Sequence, residues 1–229
     1  MTFAPAWIAI GALVAAPAAA QLGVGLHAGT TGLGPEVSWG LGERARARAA
    51  LAGFDQDLDV TASDVRYEGE LELRHALLLL DWHPGGGGFR LTAGAAWNDN
   101  RLVGTAPLAE LFADDLERLA RQGIDLRGRD LGTAHAEATT DALGPYLGLG
   151  FGKAPAGGRG VGLTLDVGAI YQGPPQVELR AETPLPIDQV PGARQALDGL
   201  IADEERDIED EADGYRFFPV VAVGLAYRF

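Results

Sequence analysis

The chain has 229 residues, 33 of them glycine and 13 proline, with one methionine and no cysteine. That length is enough for one sizeable core, and the missing cysteine excludes disulfide frameworks, thiol nucleophiles and thiolate metal sites. Lys and Arg number 18 against 32 Asp and Glu, a formal charge of −14, which argues against a nucleic-acid binder, whose phosphate contacts need cations.

Residues 1–20 carry no charge. They hold an apolar stretch from Trp7 to Ala16 and the small-residue exit Ala18-Ala19-Ala20 before Gln21. The segment reads as a cleaved secretory signal peptide, although it lacks the usual basic start. Pro5 and Pro17 cut the apolar run below the ~20 residues that a spanning helix needs. Residues 21–229 are then expected to form a single exported domain.

Beyond Gln21 the chain alternates. Leu22, Val24, Leu26 and Ala28 alternate with Gly23, Gly25, His27 and Gly29, then Val37, Trp39 and Leu41 with Glu36, Ser38 and Gly40. Ala45, Ala47, Ala49 and Leu51 alternate with Arg44, Arg46, Arg48 and Ala50. A fourth strand runs from Val65 to Trp82, with Leu71 and Leu73 opposite Glu70, Glu72 and Arg74; the run Leu77-Leu78-Leu79-Leu80 blurs the phase of its lower half. Three further segments alternate in the same way, from Phe89 to Asn98, from Leu143 to Gly152 and from Val161 to Tyr171. In the last, Phe217, Pro219, Val221, Val223, Leu225, Tyr227 and Phe229 form one apolar face with aromatic ends, opposite a mostly small face with Arg216 and Arg228 at its ends. Period two means strands, and aromatic ends around an aliphatic middle suit a bilayer with two interfaces.

These segments predict an all-β fold, an eight-stranded antiparallel transmembrane up-and-down barrel. Short connections at Gly42-Glu43, 83–88 and 153–159 alternate with longer ones at 57–64, 107–140 and 172–213, and only the first hairpin, around Thr30 to Gly34, is short on the long-loop side. That is the asymmetry of short periplasmic turns and long extracellular loops. Both termini then lie on the periplasmic side.

Eight strands leave an interior about wide enough for side chains alone. A three-residue turn over 41–43 keeps the phase of the second hairpin and sets Gly40 opposite Arg44, Ser38 opposite Arg46 and Glu36 opposite Arg48. The expected charged lining is Glu36, Arg46, Arg48, Glu70, Glu72, Arg74, Arg90 and Asp166, with Arg216 and Arg228 on the same phase. Charges of both signs in so narrow a space should pair. Two readings stay open: a polar plug of ion pairs, or a narrow water-filled pore for which the inward glycines leave room.

The two long loops each carry a helical pattern. Leu108, Leu111, Phe112, Leu116 and Leu119 are spaced as one amphipathic face, and so are Val190, Ala193, Leu197, Leu200, Ile201 and Ile208. Each predicts a short helix folding over the barrel mouth. The second ends in a run rich in Asp and Glu from Asp203 to Asp213, a solvated face with the option of weak divalent-cation binding; no metal-site spacing is present. Enzyme signals are thin. Only Ser38 and Ser63 remain in the mature chain, and a contact among Ser38, His27 and Glu36 is the one arrangement that approaches a nucleophile with a base.

From Gln21 to Phe229 the chain resembles the small bacterial outer-membrane barrels of the OmpA transmembrane-domain, OmpX and OmpW sort. Gly-Thr-Thr-Gly at 29–32, Ala-Gly-Ala-Ala-Trp-Asn-Asp-Asn at 93–100, Pro-Tyr-Leu-Gly-Leu-Gly-Phe at 145–151 and Pro-Gln-Val-Glu-Leu at 175–179 look more closely like the CarO group of eight-stranded barrels, associated with ornithine uptake. The ending Gly-Leu-Ala-Tyr-Arg-Phe looks like the signal read by the barrel-assembly machinery, carried by Val223, Leu225, Tyr227 and Phe229, with Phe where that group is expected to end in Trp. The resemblance implies an outer-membrane location amid lipids and lipopolysaccharide, periplasmic chaperones and the assembly machinery as partners, and no cofactor. A CarO likeness implies passage of small basic amino acids, for which lumen arginines are an awkward lining. The leading expectation is a non-enzymatic, envelope-stabilising barrel with acidic surface loops. The alternatives are a narrow pore for small solutes and a loop-mediated adhesin.

Overall fold

The computed structural model describes residues 22–62, 65–121, 130–152, 159–184 and 192–229. The expected signal segment 1–20 lies outside these residues, as do most of the 153–159 turn and the first part of the second loop helix, 187–191. The strands are β1 (Leu22–Gly29), β2 (Gly32–Gly40), β3 (Ala45–Ala62), β4 (Val65–Trp82), β5 (Phe89–Asn98), β6 (Arg101–Pro107), β7 (Thr133–Thr139), β8 (Leu143–Gly152), β9 (Gly160–Tyr171), β10 (Gln176–Glu182) and β11 (Phe217–Arg228).

Eight of them close a ring. β1 to β5 pair in sequence, β5 pairs with β8, β8 with β9, β9 with β11, and β11 returns to β1, all antiparallel. Closure leaves the ring without a free edge. The end that carries Leu22, Phe229 and the turns after β2 and β4 is called the lower end.

On one side the wall continues upward. Glu72 pairs with Arg101 in the same register in which His75 pairs with Asn98, so β6 prolongs β5 along β4. β7 prolongs β8 in the same way, since Arg101 faces Thr139 and Ala96 faces Gly144. β10 prolongs β9 with a one-residue slip: Tyr146 faces Ile170, but Thr139 faces Gln176. The slip is a bulge that changes which face the side chains take. The upper halves of β3 and β4 with β6, β7 and β10 therefore form a five-stranded sheet standing above the ring. The segments 107–140 and 172–213 thus contain strand as well as helix.

The helices occupy the places that the apolar spacing predicts: α1 (Leu108–Leu111), α2 (Ala113–Arg121) and α3 (Ala193–Ala212). Leu108, Phe112 and Leu116 pack with Leu131 and Ala134, and Leu111, Ala181, Leu200 and Ile201 close around them. This second core lies on the face of the upper sheet that continues the lumen wall. The opposite face continues the outside of the ring and is charged.

Around the ring itself the outer face is apolar. Leu26, Leu33, Leu78, Leu143, Leu147, Val161 and Leu163 all stand at least 60% exposed. Phe89 meets Phe151 at the lower margin, with ring centres 5.2 Å apart, and Tyr171 meets Phe217 at the upper margin, 5.3 Å apart. Trp82 and Tyr227 join the lower ring of aromatics and Trp97 the upper one. A strand from Phe89 to Trp97, rising ~3.4 Å per residue and tilted by about 40°, gives a belt roughly 20 Å tall.

Candidate functional site

The lumen is layered. Its lower part is a cavity of about 340 Å³ whose lining includes Ser38, Arg46, Arg90, Thr164 and Arg228. Above it sits a compact ionic layer. Arg48 Nη1 donates to Glu36 Oε2 at 3.0 Å, Nη2 to Asp81 Oδ1 at 3.0 Å and Nη2 to Asp166 Oδ1 at 3.1 Å. Its Nε lies 2.7 Å from Asp81 Oδ2. Arg90 Nη2 donates to both oxygens of Asp166 at 2.8 Å, and Thr92 Oγ1 donates to Asp81 at 2.8 Å. Two guanidinium groups therefore hold three carboxylates drawn from β2, β4 and β9. The Arg48 and Arg90 side chains are only 5% and 6% exposed, so each charge is compensated in place rather than by solvent.

Over the ionic layer lies an apolar one. Ala50, Leu77, Leu79, Ala96, Tyr146, Ile170 and Val220 form a buried cluster against which Phe218 packs. A void of only about 20 Å³ remains between the two layers, on the order of one water molecule. Higher still, His75 lies 5.1 Å from Phe218, ring centre to ring centre, and its Nε2 is 3.3 Å from Asn100 Nδ2.

Inward glycines on β8 and β9 make this filling fit. A Cβ on Gly168 would stand 2.6 Å from the Tyr146 hydroxyl, and one on Gly152 would stand 3.0 Å from Arg90 Nη1. The large side chains of β3, β4 and β5 and Tyr146 lie across the space these glycines leave. The room that the sequence alone left for a pore is occupied at this height.

The expected lining residues part company here. Glu36, Arg48, Arg90 and Asp166 meet in one network, and Arg46 points into the lower cavity. Glu70, Glu72 and Arg74 do not enter the lumen. In β4 the inward phase is Leu73, His75, Leu77, Leu79 and Asp81, all buried, and it runs unbroken through the leucine run. Glu70, Glu72 and Arg74 share the opposite phase with exposed Leu78, Leu80 and Trp82, above the apolar belt. Arg74 there pairs with Asp55. Among the charged lumen residues Asp81 is the one that the sequence reading missed, whereas Thr92 and Tyr146 share the inward phase expected for Arg90 and for the glycines of β8.

Two smaller corrections follow from register. Glu36 faces Ala50, Ser38 faces Arg48 and Gly40 faces Arg46, two residues away from the expected pairing. Leu41 N–H donates to Ala45 C=O at 2.9 Å, so the turn closes over 42–44 instead of 41–43, and the even shift keeps the inward phase. Ser38 sits opposite Gly23 and His27 opposite Gly34, which separates the serine from the histidine along the hairpin. Val223, Leu225 and Tyr227 face outward on β11, and the Tyr227 and Phe229 rings stand edge to face at 5.0 Å.

The charged face of the upper sheet is tied by ion pairs across its strands. Arg101 donates to both oxygens of Glu137, at 2.6 and 3.0 Å, joining β6 to β7. This fork holds the Glu137 carboxyl below the usual carboxylate range and raises the Arg101 guanidinium. On β10, Arg180 pairs with Glu178 at 2.7 Å.

No protein-family profile matches the chain, and no curated protein matches it. Solved structures do. The crystal structure of Acinetobacter baumannii CarO2 is similar at 21% identity and a TM-score of 0.58, covering 91% of this chain and 98% of that one. The crystal structure of Acinetobacter baumannii CarO is similar at 22% identity and a TM-score of 0.56, with the same coverage. At such identity the likeness is one of fold, and it extends over nearly the whole of both chains.

Proposed function

We propose that this chain is an integral β-barrel of the bacterial outer membrane with a plugged lumen, a non-enzymatic envelope protein. The upper sheet and its helices then stand outside the cell, and the short turns and both ends of the described chain face the periplasm. The observation that carries the reading is the inverted polarity of the ring. Buried charges and hydrogen-bonding groups occupy its inside beneath a single apolar layer, while leucines, valines and aromatics cover its outside. A soluble barrel has the opposite arrangement, and an apolar belt this continuous is far larger than water tolerates on a monomer. The CarO and CarO2 likeness supports the same location. Lipids and lipopolysaccharide are its surroundings, and β11 with Phe229 its signal to the assembly machinery.

The test is electrical. The chain from Gln21, refolded into a planar bilayer, is expected to be silent, because the Arg48 layer and the Leu77–Tyr146 cluster leave only a water-sized gap. A second reading, a narrow channel for small solutes, is favoured by the lower cavity and requires both layers to part. Discrete, reproducible conductance steps whose ion selectivity changes in Arg48→Ala would establish that reading and remove the plug.

A further inference from the structure

The lower cavity is a site in its own right. In a chain of formal charge −14, its lining brings together Arg46, Arg90 and Arg228, and Glu43 is its single acidic residue among those described. Arg90 is committed to Asp166. Arg46 and Arg228 are not committed: neither makes an ion pair among the described residues, and Arg46 Nε is buried without a hydrogen-bond partner there. Two guanidinium groups facing one cavity repel each other, and a buried donor left unmade costs its desolvation. An anion between them relieves both. Ser38 and Thr164 hydroxyls add neutral donors to the same lining, and Gly23, Gly40, Gly152 and Gly162 keep the space clear. A volume of about 340 Å³ is at the lower end of the usual range for a small-molecule site.

We propose that this cavity binds an anion through a carboxylate or phosphate group, held by the forks of Arg46 and Arg228. The guanidinium fork matches two oxygens of either group, which an ammonium does not. Such a ligand reaches the site as a free solute or as the headgroup of an acidic lipid at the adjacent membrane surface.

The test uses the chain refolded in zwitterionic detergent, titrated with inorganic phosphate and followed by the Nε–Hε signals of its arginines. Saturable shifts of the Arg46 and Arg228 signals are expected. Affinity should fall about tenfold or more in the double variant Arg46→Gln, Arg228→Gln. It should be unchanged in Arg44→Gln, which removes one positive charge from the exposed turn beside the cavity. Arg46→Lys keeps the charge and loses the fork, so it should bind with intermediate affinity. It also decides the matter if the double variant does not refold. Shifts that rise without saturation, or an affinity equal in all variants, mean ionic screening only and overturn the site. Phosphate-free nanodiscs containing phosphatidylglycerol identify the source. Shifts there match a lipid headgroup, and their absence beside saturable phosphate binding matches a soluble anion; both outcomes support the site.

Discussion

Arg48 is the residue on which the lumen turns. It reaches three carboxylates from three strands, so Arg48→Ala leaves Glu36, Asp81 and Asp166 with Arg90 alone. Removing one partner of a buried ion pair costs about 3–5 kcal/mol, because the other charge is stranded. Arg46, one inward position below, has no ion pair among the described residues, and Arg46→Ala should cost under about 1 kcal/mol. The comparison is read as the temperature at which the folded, faster-migrating form disappears from detergent gels. A clear drop is expected for Arg48→Ala and almost none for Arg46→Ala, and equal drops would mean that the ionic layer does not hold the wall. Parity alone found Arg48, Glu36, Arg90 and Asp166, since each sits in a strand whose other face is evenly apolar. Asp81 was hidden because four successive leucines at 77–80 erase the period-two signal on which parity depends. Glu70, Glu72 and Arg74 were misplaced for a different reason. A strand longer than the apolar belt changes the polarity of its outer face where it leaves the belt, so a charge no longer distinguishes inside from outside.

At the level of elements, the upper sheet has what the ring lacks, a free edge. β10 pairs only with β7, and its outward N–H groups are a template for another strand. α3 covers them. Leu179 N–H donates to Glu205 Oε1 at 2.7 Å and Val177 N–H to Glu209 Oε1 at 3.3 Å. The match is one of repeat lengths: four residues of helix advance about 6 Å and two residues of strand about 6.8 Å. Successive glutamates on one helix face therefore meet alternate amides on the strand. Leu200 and Ile201 anchor the helix from the other side through the second core. Replacing Glu205 and Glu209 by Ala should uncover the edge while leaving the ring intact. The expected outcome is a shift toward dimers and larger species in light scattering of the detergent-solubilised protein, with barrel content by circular dichroism unchanged. A variant that stays monomeric would show that the helix body, not its carboxylates, protects the edge. The helix was legible from its apolar spacing. The strand beneath it was not, because β7 and β10 are short, and the alternation of Ala134, Ala136 and Ala138 with His135 and Glu137 carries little hydrophobic contrast.

For the molecule as a whole, the distribution of polarity makes a demand that depth alone can satisfy. Leu143 and Leu147 lie on the same outer face of β8 and are equally exposed, 70% and 69%. Leu143 pairs with Trp97 at the upper aromatic margin, whereas Leu147 pairs with Ala93 at mid-belt. In water, exposure governs, and an arginine at either position would be harmless. In a bilayer, depth governs: Leu147→Arg should cost about 2–4 kcal/mol and Leu143→Arg about 0–1 kcal/mol. The difference is to be measured as equilibrium unfolding by guanidinium of the barrel folded into phospholipid vesicles. It should vanish if the same pair is compared on a soluble barrel, where both leucines would face solvent. Equal, small costs at the two positions would mean that the belt does not face lipid, and the membrane reading would fall with it. A graded cost that follows height along β8 would fix the belt against the bilayer. It would also place Arg74 and the charged face of the upper sheet just outside the hydrocarbon, where that face can hold its ion pairs in water.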